Sequence, residues 1–165
     1  MVAIVLGIDP GLQRTGWGVV EMQGNGLRFV AAGFVPTDAK APLASRLHAL
    51  HLGVARVIEC YAPTEAAMEE TFVSVNGAST LKLGQARGAL LLTLAMAGLN
   101  VQAYAPTQVK KTIVGVGRAE KSQIIHMIAR LLPGCDVTQA DAADALAVAV
   151  CHMAQRRVRH LMAAV

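Results

Sequence analysis

The stretch Val2-Ala3-Ile4-Val5-Leu6-Gly7-Ile8-Asp9-Pro10-Gly11 sets the frame for the whole chain. Its uncharged apolar run suits a central strand buried on both faces, and Asp9-Pro10-Gly11 closes it with a turn. A carboxylate ending such a run stands at the rim of a sheet, where open α/β sheets tend to place their ligand sites. No basic segment precedes the run, so it reads as a strand rather than a signal peptide.

Working outward, residues 17–22 and 27–35 predict two further strands around Gly24-Asn25-Gly26, an antiparallel hairpin with Asn25-Gly26 as its turn dipeptide. Leu43, Leu47, Leu50, Val54, Ile58 and Tyr61 recur at helical steps, which predicts a helix over 42–61 stopped by Pro63. A short strand over 65–72, a helix over 78–97 ending at Gly98, and a strand over 101–104 follow. Helix–strand alternation implies parallel pairing there. Helices are expected over 106–114, 120–132 and from 140 to about 161, with Gly115-Val116-Gly117 as a hinge. The expected fold is α/β, a mixed five-stranded sheet flanked by helices, in a single domain over residues 1–165.

Composition narrows the function classes. The chain is 54% hydrophobic but only 4% aromatic, so Ala, Val and Leu must build most of the interior, and disorder is not expected. Residues 1–80 carry five Lys/Arg against seven Asp/Glu, whereas 81–165 carry ten against four, so the net +4 comes entirely from the second half. A basic half beside an acidic site suits a polyanionic partner. Cys60, Cys135 and Cys151 lack metal-ligand spacing and read as reduced packing residues of a cytoplasmic protein. The apolar stretch at 88–99 is too short to span a bilayer, so no membrane role is expected.

Acidic residues carry the chemistry. Asp141 and Asp144 are three apart in an alanine-rich helix, so both project from one face with room around them. Asp9 is a third candidate, and a fourth comes from Glu69 or Glu70. Strand alternation sends those two to opposite faces, and spacing does not choose between them. Two carboxylates ~5 Å apart repel by roughly 3 kcal/mol at an effective dielectric of ~20, so such a cluster normally exists to hold divalent cations.

Taken together the motifs resemble the RuvC family of bacterial Holliday-junction resolvases, in the ribonuclease-H-like superfamily, over nearly the whole chain. The carriers are Gly7-Ile8-Asp9-Pro10-Gly11 with Thr15-Gly16-Trp17-Gly18; Met68-Glu69-Glu70-Thr71-Phe72; and Leu81-Lys82-Leu83-Gly84-Gln85-Ala86-Arg87-Gly88. They continue in Gln108-Val109-Lys110 through Val114-Gly115, Ala119-Glu120-Lys121-Ser122, and Gln139-Ala140-Asp141-Ala142-Ala143-Asp144-Ala145-Leu146. Trp17 stands where Tyr is common in the family, and Ser74-Val75-Asn76-Gly77 departs from its patterns.

The resemblance implies that Asp9, Glu69, Asp141 and Asp144 are the catalytic, metal-holding acids, and it selects Glu69 over Glu70. It places an aromatic used near the scissile step at Phe72, which the residues alone would assign to the core. Basic residues used against phosphate map to Lys110 and Lys121, with Arg87 and Lys111 beside them. The implied activity is paired nicking of four-way DNA junctions in recombination and repair, by a homodimer working with the RuvA–RuvB branch-migration machinery. Oxygen donors suit two Mg²⁺ ions per site, with Mn²⁺ substituting. No histidine is needed, and His126, His152 and His160 read as surface or packing residues. Two rivals stand beside this reading: an actin-like ATPase, which needs a second lobe, and an inactive junction-binding protein, in which loss of at least one acid is expected.

Overall fold

The computed structural model describes residues 2–70 and 76–163. Its strands are β1 (Ile4–Asp9), β2 (Arg14–Gln23), β3 (Gly26–Pro36), β4 (Glu65–Glu69) and β5 (Val101–Tyr104). Its helices are α1 (Leu43–Tyr61), α2 (Gly77–Met96), α3 (Pro106–Val114), α4 (Lys121–Leu131) and α5 (Ala140–Ala163). The sheet order is β3-β2-β1-β4-β5, with β1 antiparallel to β2 and parallel to β4, which is parallel to β5. The mixed five-stranded sheet is thus the expected one, and β1 is its middle strand.

Period-two alternation divides the core between the two faces of the sheet. Val5 and Ala67 belong to the cluster under α3, α4 and α5, whereas Leu6, Ile8, Ala66 and Met68 belong to the cluster under α1 and α2. Fully burying a side chain such as Leu6 or Ile8 stabilises the fold by about 1.5–3 kcal/mol.

α5 lies unusually close to the sheet because glycines leave room for it. A Cβ at Gly7 would sit 2.2 Å from the Ala145 carbonyl oxygen, one at Gly16 2.0 Å from the Asp141 carbonyl oxygen, and one at Gly18 2.7 Å from Leu146 Cδ2. Gly7 pairs with Gly18 and Asp9 with Gly16, so the three form one flat patch across β1 and β2. The alanines Ala142, Ala145 and Ala149 of α5 are fully buried, and the helix backbone comes down beside Asp9.

Local signals explain the element ends. Asn76 Oδ1 caps α2 by accepting from the backbone N–H groups of Ala78 and Ser79 at 3.0 and 3.2 Å. Glu120 and Gln123 form a reciprocal capping box at the start of α4. Pro106 opens α3, and Gly115 ends it with φ at +83°.

Three expectations need correction. The hairpin turn is Gly24-Asn25 rather than Asn25-Gly26: Gln23 pairs with Gly26, and Gly24 takes the positive φ of +57° at the first turn position. β4 ends at Glu69, so Glu70 is not part of the strand, and residues 71 and 72 of the expected strand lie outside the described residues. Cys60 is exposed rather than packed, while Cys135 and Cys151 are buried as expected. Among the described residues no helix is long and apolar enough to cross a membrane.

Candidate active site

Because β1, β4 and β5 are parallel, their C-terminal ends share one edge of the sheet. Asp9 ends β1 and Glu69 ends β4, and the register Ile8↔Met68 brings these strand ends side by side. Glu69 follows Ala67 on the face covered by α5, whereas Glu70 is exposed. α5 begins at this same edge, with Asp141 in its first turn, where the helix dipole favours a carboxylate, and Asp144 one turn on.

Electrostatics tie the four acids together. Burial, then the charges of Glu69, Asp144 and Asp141, pushes Asp9 up to about 8 against a partial offset from Lys121. Burial and Asp144 raise Glu69 to about 7, with Lys110 opposing. Asp144 is raised by burial and by Asp141, against Lys121 and Lys110. Lys110, Lys121, Glu69 and Asp144 line one recess of about 120 Å³ with Pro106, Ala119 and Ile124.

Asp141 is oriented differently. Its Oδ2 lies 2.8 Å from Arg14 Nε at the start of β2. In this arrangement no three acidic, histidine or cysteine side chains among the described residues gather tightly enough to grip one ion. Coulomb coupling reaches farther than coordination, so acids that perturb one another need not lie within reach of a single ion. The donor set still fits hard divalent cations: all four acids offer carboxylate oxygens, and the raised proton affinity of Asp9, Glu69 and Asp144 is relieved by a cation that replaces the proton.

The remaining candidates divide. Lys111 is exposed in the last turn of α3, away from the recess. Arg87 is half-buried on α2, and its Nε has no hydrogen-bond partner among the described residues. It does not line the recess either. Phe72, Ser74 and Val75 lie outside the described residues.

The sequence reading missed two features. One is Arg14, which shares its strand face with Gly16 by the period of two; that signal was available but needed α5's position to be meaningful. The other is a buried network in which the Tyr104 hydroxyl meets His152 Nδ1 at 3.0 Å and His152 Nε2 meets Glu65 Oε2 at 2.8 Å. Arg156 Nε donates to Glu65 Oε1 at 2.8 Å. The packing role expected of His152 is met, but with specific polar partners.

Comparison with known proteins supplies the family. The model of the family described as crossover junction endodeoxyribonuclease RuvC matches residues 5–152. A protein of that description from Ruegeria pomeroyi is 56% identical over 163 residues, covering 94% of this chain and 98% of the relative. Another, from Azorhizobium caulinodans, is 58% identical over 152 residues, covering 92% and 90%. Among solved structures, Thermus thermophilus RuvC in complex with a Holliday junction substrate superposes with a TM-score of 0.87 at 34% identity, covering 94% of this chain and 96% of that one.

Proposed function

This chain belongs to the RuvC family of crossover junction endodeoxyribonucleases, and on that premise we propose that it resolves four-way DNA junctions by hydrolysing phosphodiesters in recombination and repair. Its fold is the ribonuclease-H-like α/β architecture of that family. The observation carrying the reading at the site is the recess at one sheet edge where Glu69 and Asp144 face Lys110 and Lys121, with Asp9 ending the neighbouring strand and burial raising all three acids.

Asp9, Glu69, Asp141 and Asp144 are the residues that hold the ions, with Mg²⁺ as the physiological choice and Mn²⁺ as a substitute. When bound, two such ions would supply the charge stabilisation that an in-line displacement at a phosphodiester needs. Lys110 and Lys121 draw the scissile phosphate towards the acids and keep the recess from being purely anionic. Arg87 and Lys111 contact DNA outside it, and Phe72 serves as the aromatic used near the scissile step. The products are 5′-phosphate and 3′-hydroxyl ends.

A four-way junction has near two-fold symmetry, so two nicks on like strands call for a two-fold dimer of this single 165-residue domain. The outer face of α2 supports one: Leu81, Leu92 and Met96 are 65%, 62% and 72% exposed, and Gly84 and Gly88 meet nothing within 4 Å. Cooperation with RuvA–RuvB in the cytoplasm belongs to the same proposal.

The test is nicking of synthetic junction, linear duplex and RNA–DNA hybrid with and without Mg²⁺. Symmetric cuts confined to the junction and requiring the ion are expected. Cleavage of hybrid as fast as junction would instead indicate a general ribonuclease H, and binding without cutting an inactive junction-binding protein.

A further inference from the structure

Arg14 is placed by two independent contacts. Its Nε lies 2.8 Å from Asp141 Oδ2, and its guanidinium carbon lies 3.6 Å from the centroid of the Phe34 ring on β3. Phe34 pairs with Gly16, and the missing side chain at 16 lets the Asp141 backbone come down beside that pair, within reach of Arg14. The planar cation is thus stacked on one side and paired at its edge, a geometry that lysine cannot reproduce. The Asp141 backbone is fixed against Gly16, so any change of partner for its carboxylate is a side-chain event.

We propose that Arg14 is a positioning residue, a resident counter-cation that holds the Asp141 carboxylate away from the other three acids until a divalent ion displaces it. This rests on the reading of Asp9, Glu69, Asp141 and Asp144 as one metal centre. The pair is partly exposed, with side-chain exposures of 45% for Arg14 and 30% for Asp141, so its hold is weak enough to be broken by an ion. Arg14 therefore sets the cation concentration at which the site assembles, while keeping the first turn of α5 neutralised in the metal-free protein. Once released, the guanidinium stays on Phe34 at the rim of the site.

The experiment is direct titration of the metal-free full-length protein with Mn²⁺, followed by electron paramagnetic resonance of the free ion, for wild type, Arg14→Gln, Arg14→Lys, Asp141→Asn and the Arg14→Gln/Asp141→Asn pair. Arg14→Gln is expected to tighten Mn²⁺ binding about two- to five-fold, the range set by a partly exposed ion pair. Arg14→Lys should tighten it less, and Arg14→Gln should have no effect once Asp141 is Asn. Should Arg14→Gln fold poorly, Phe34→Leu removes the stacking platform while keeping the charge, and a smaller tightening is expected. Equal or weaker binding in the folded Arg14 and Phe34 variants overturns the proposal, as does a tightening that persists in the Asn background. A wild-type protein that binds no Mn²⁺ overturns the metal-centre reading itself.

Discussion

Asp9 and Glu69 hold protons that the unfolded chain has already released, and this gives the metal-free protein a distinctive pH dependence. Asp9 rises from 3.8 to about 8 and Glu69 from 4.5 to about 7. Between those limits the native state binds more protons than the unfolded state, so stability falls as pH increases through the window. The thermal midpoint in chelator should decrease between pH 5 and pH 8, and Asp9→Asn should raise the pH 8 midpoint, by the equivalent of roughly 1–3 kcal/mol. A wild-type midpoint that climbs across that range contradicts the burial and crowding assigned to these acids. In cleavage assays with Mg²⁺, replacing Asp9, Glu69, Asp141 or Asp144 by its amide should abolish cutting while sparing junction binding; normal cutting by any variant removes that residue from the site. At this scale Asp9, Asp141 and Asp144 were legible as candidates from local motif and spacing, whereas Glu69 was separated from Glu70 only by the family resemblance. Arg14 was not legible, since its meaning depends on a glycine two residues away and a helix more than a hundred residues later.

The elements matter chiefly through how closely α5 approaches the sheet. Gly7, Gly16 and Gly18 let backbone meet backbone, so the acids at the start of α5 reach the ends of β1 and β4. Gly7→Ala should cost about 1–3 kcal/mol by overpacking against Ala145 and Ala149, measured by denaturant unfolding. Gly16→Ala should also cut activity severely, because its Cβ would push on the Asp141 backbone; full activity in that variant would show that α5 can shift without disturbing the site. Farther along, Glu65 anchors α5 to β4. Burial pushes its carboxyl up, but hydrogen bonds from His152 and Arg156 outweigh that and hold it below the usual range. β5, α3 and the stripe of α1 could be read from periodicity and breakers alone, whereas the turn position depended on which of two adjacent residues takes positive φ. Gly16 and Gly18 share a strand face by the period of two, but what they make room for is the backbone of a distant helix, which no local pattern reveals.

For the whole molecule, the proposed junction recognition rests on charge and on the proposed two-fold pairing of chains. Lys110→Ala and Lys121→Ala should each weaken junction binding and lower the slope of log K against log salt by about one. Leu92→Glu, on the exposed face of α2, should shift sedimentation towards monomer and uncouple the two nicks; an unchanged dimer would move the interface elsewhere. The parallel pairing followed from element alternation, whereas the metal-centre reading requires that the acids at 9, 69, 141 and 144 converge when the ions bind, which only the folded chain can display. Anomalous diffraction from crystals grown with Mn²⁺ tests that convergence most directly. Two manganese peaks bridged by Asp9, Glu69, Asp141 and Asp144, with Arg14 turned off Asp141, are the predicted result. Manganese bound elsewhere, with those carboxylates still apart, would contradict it.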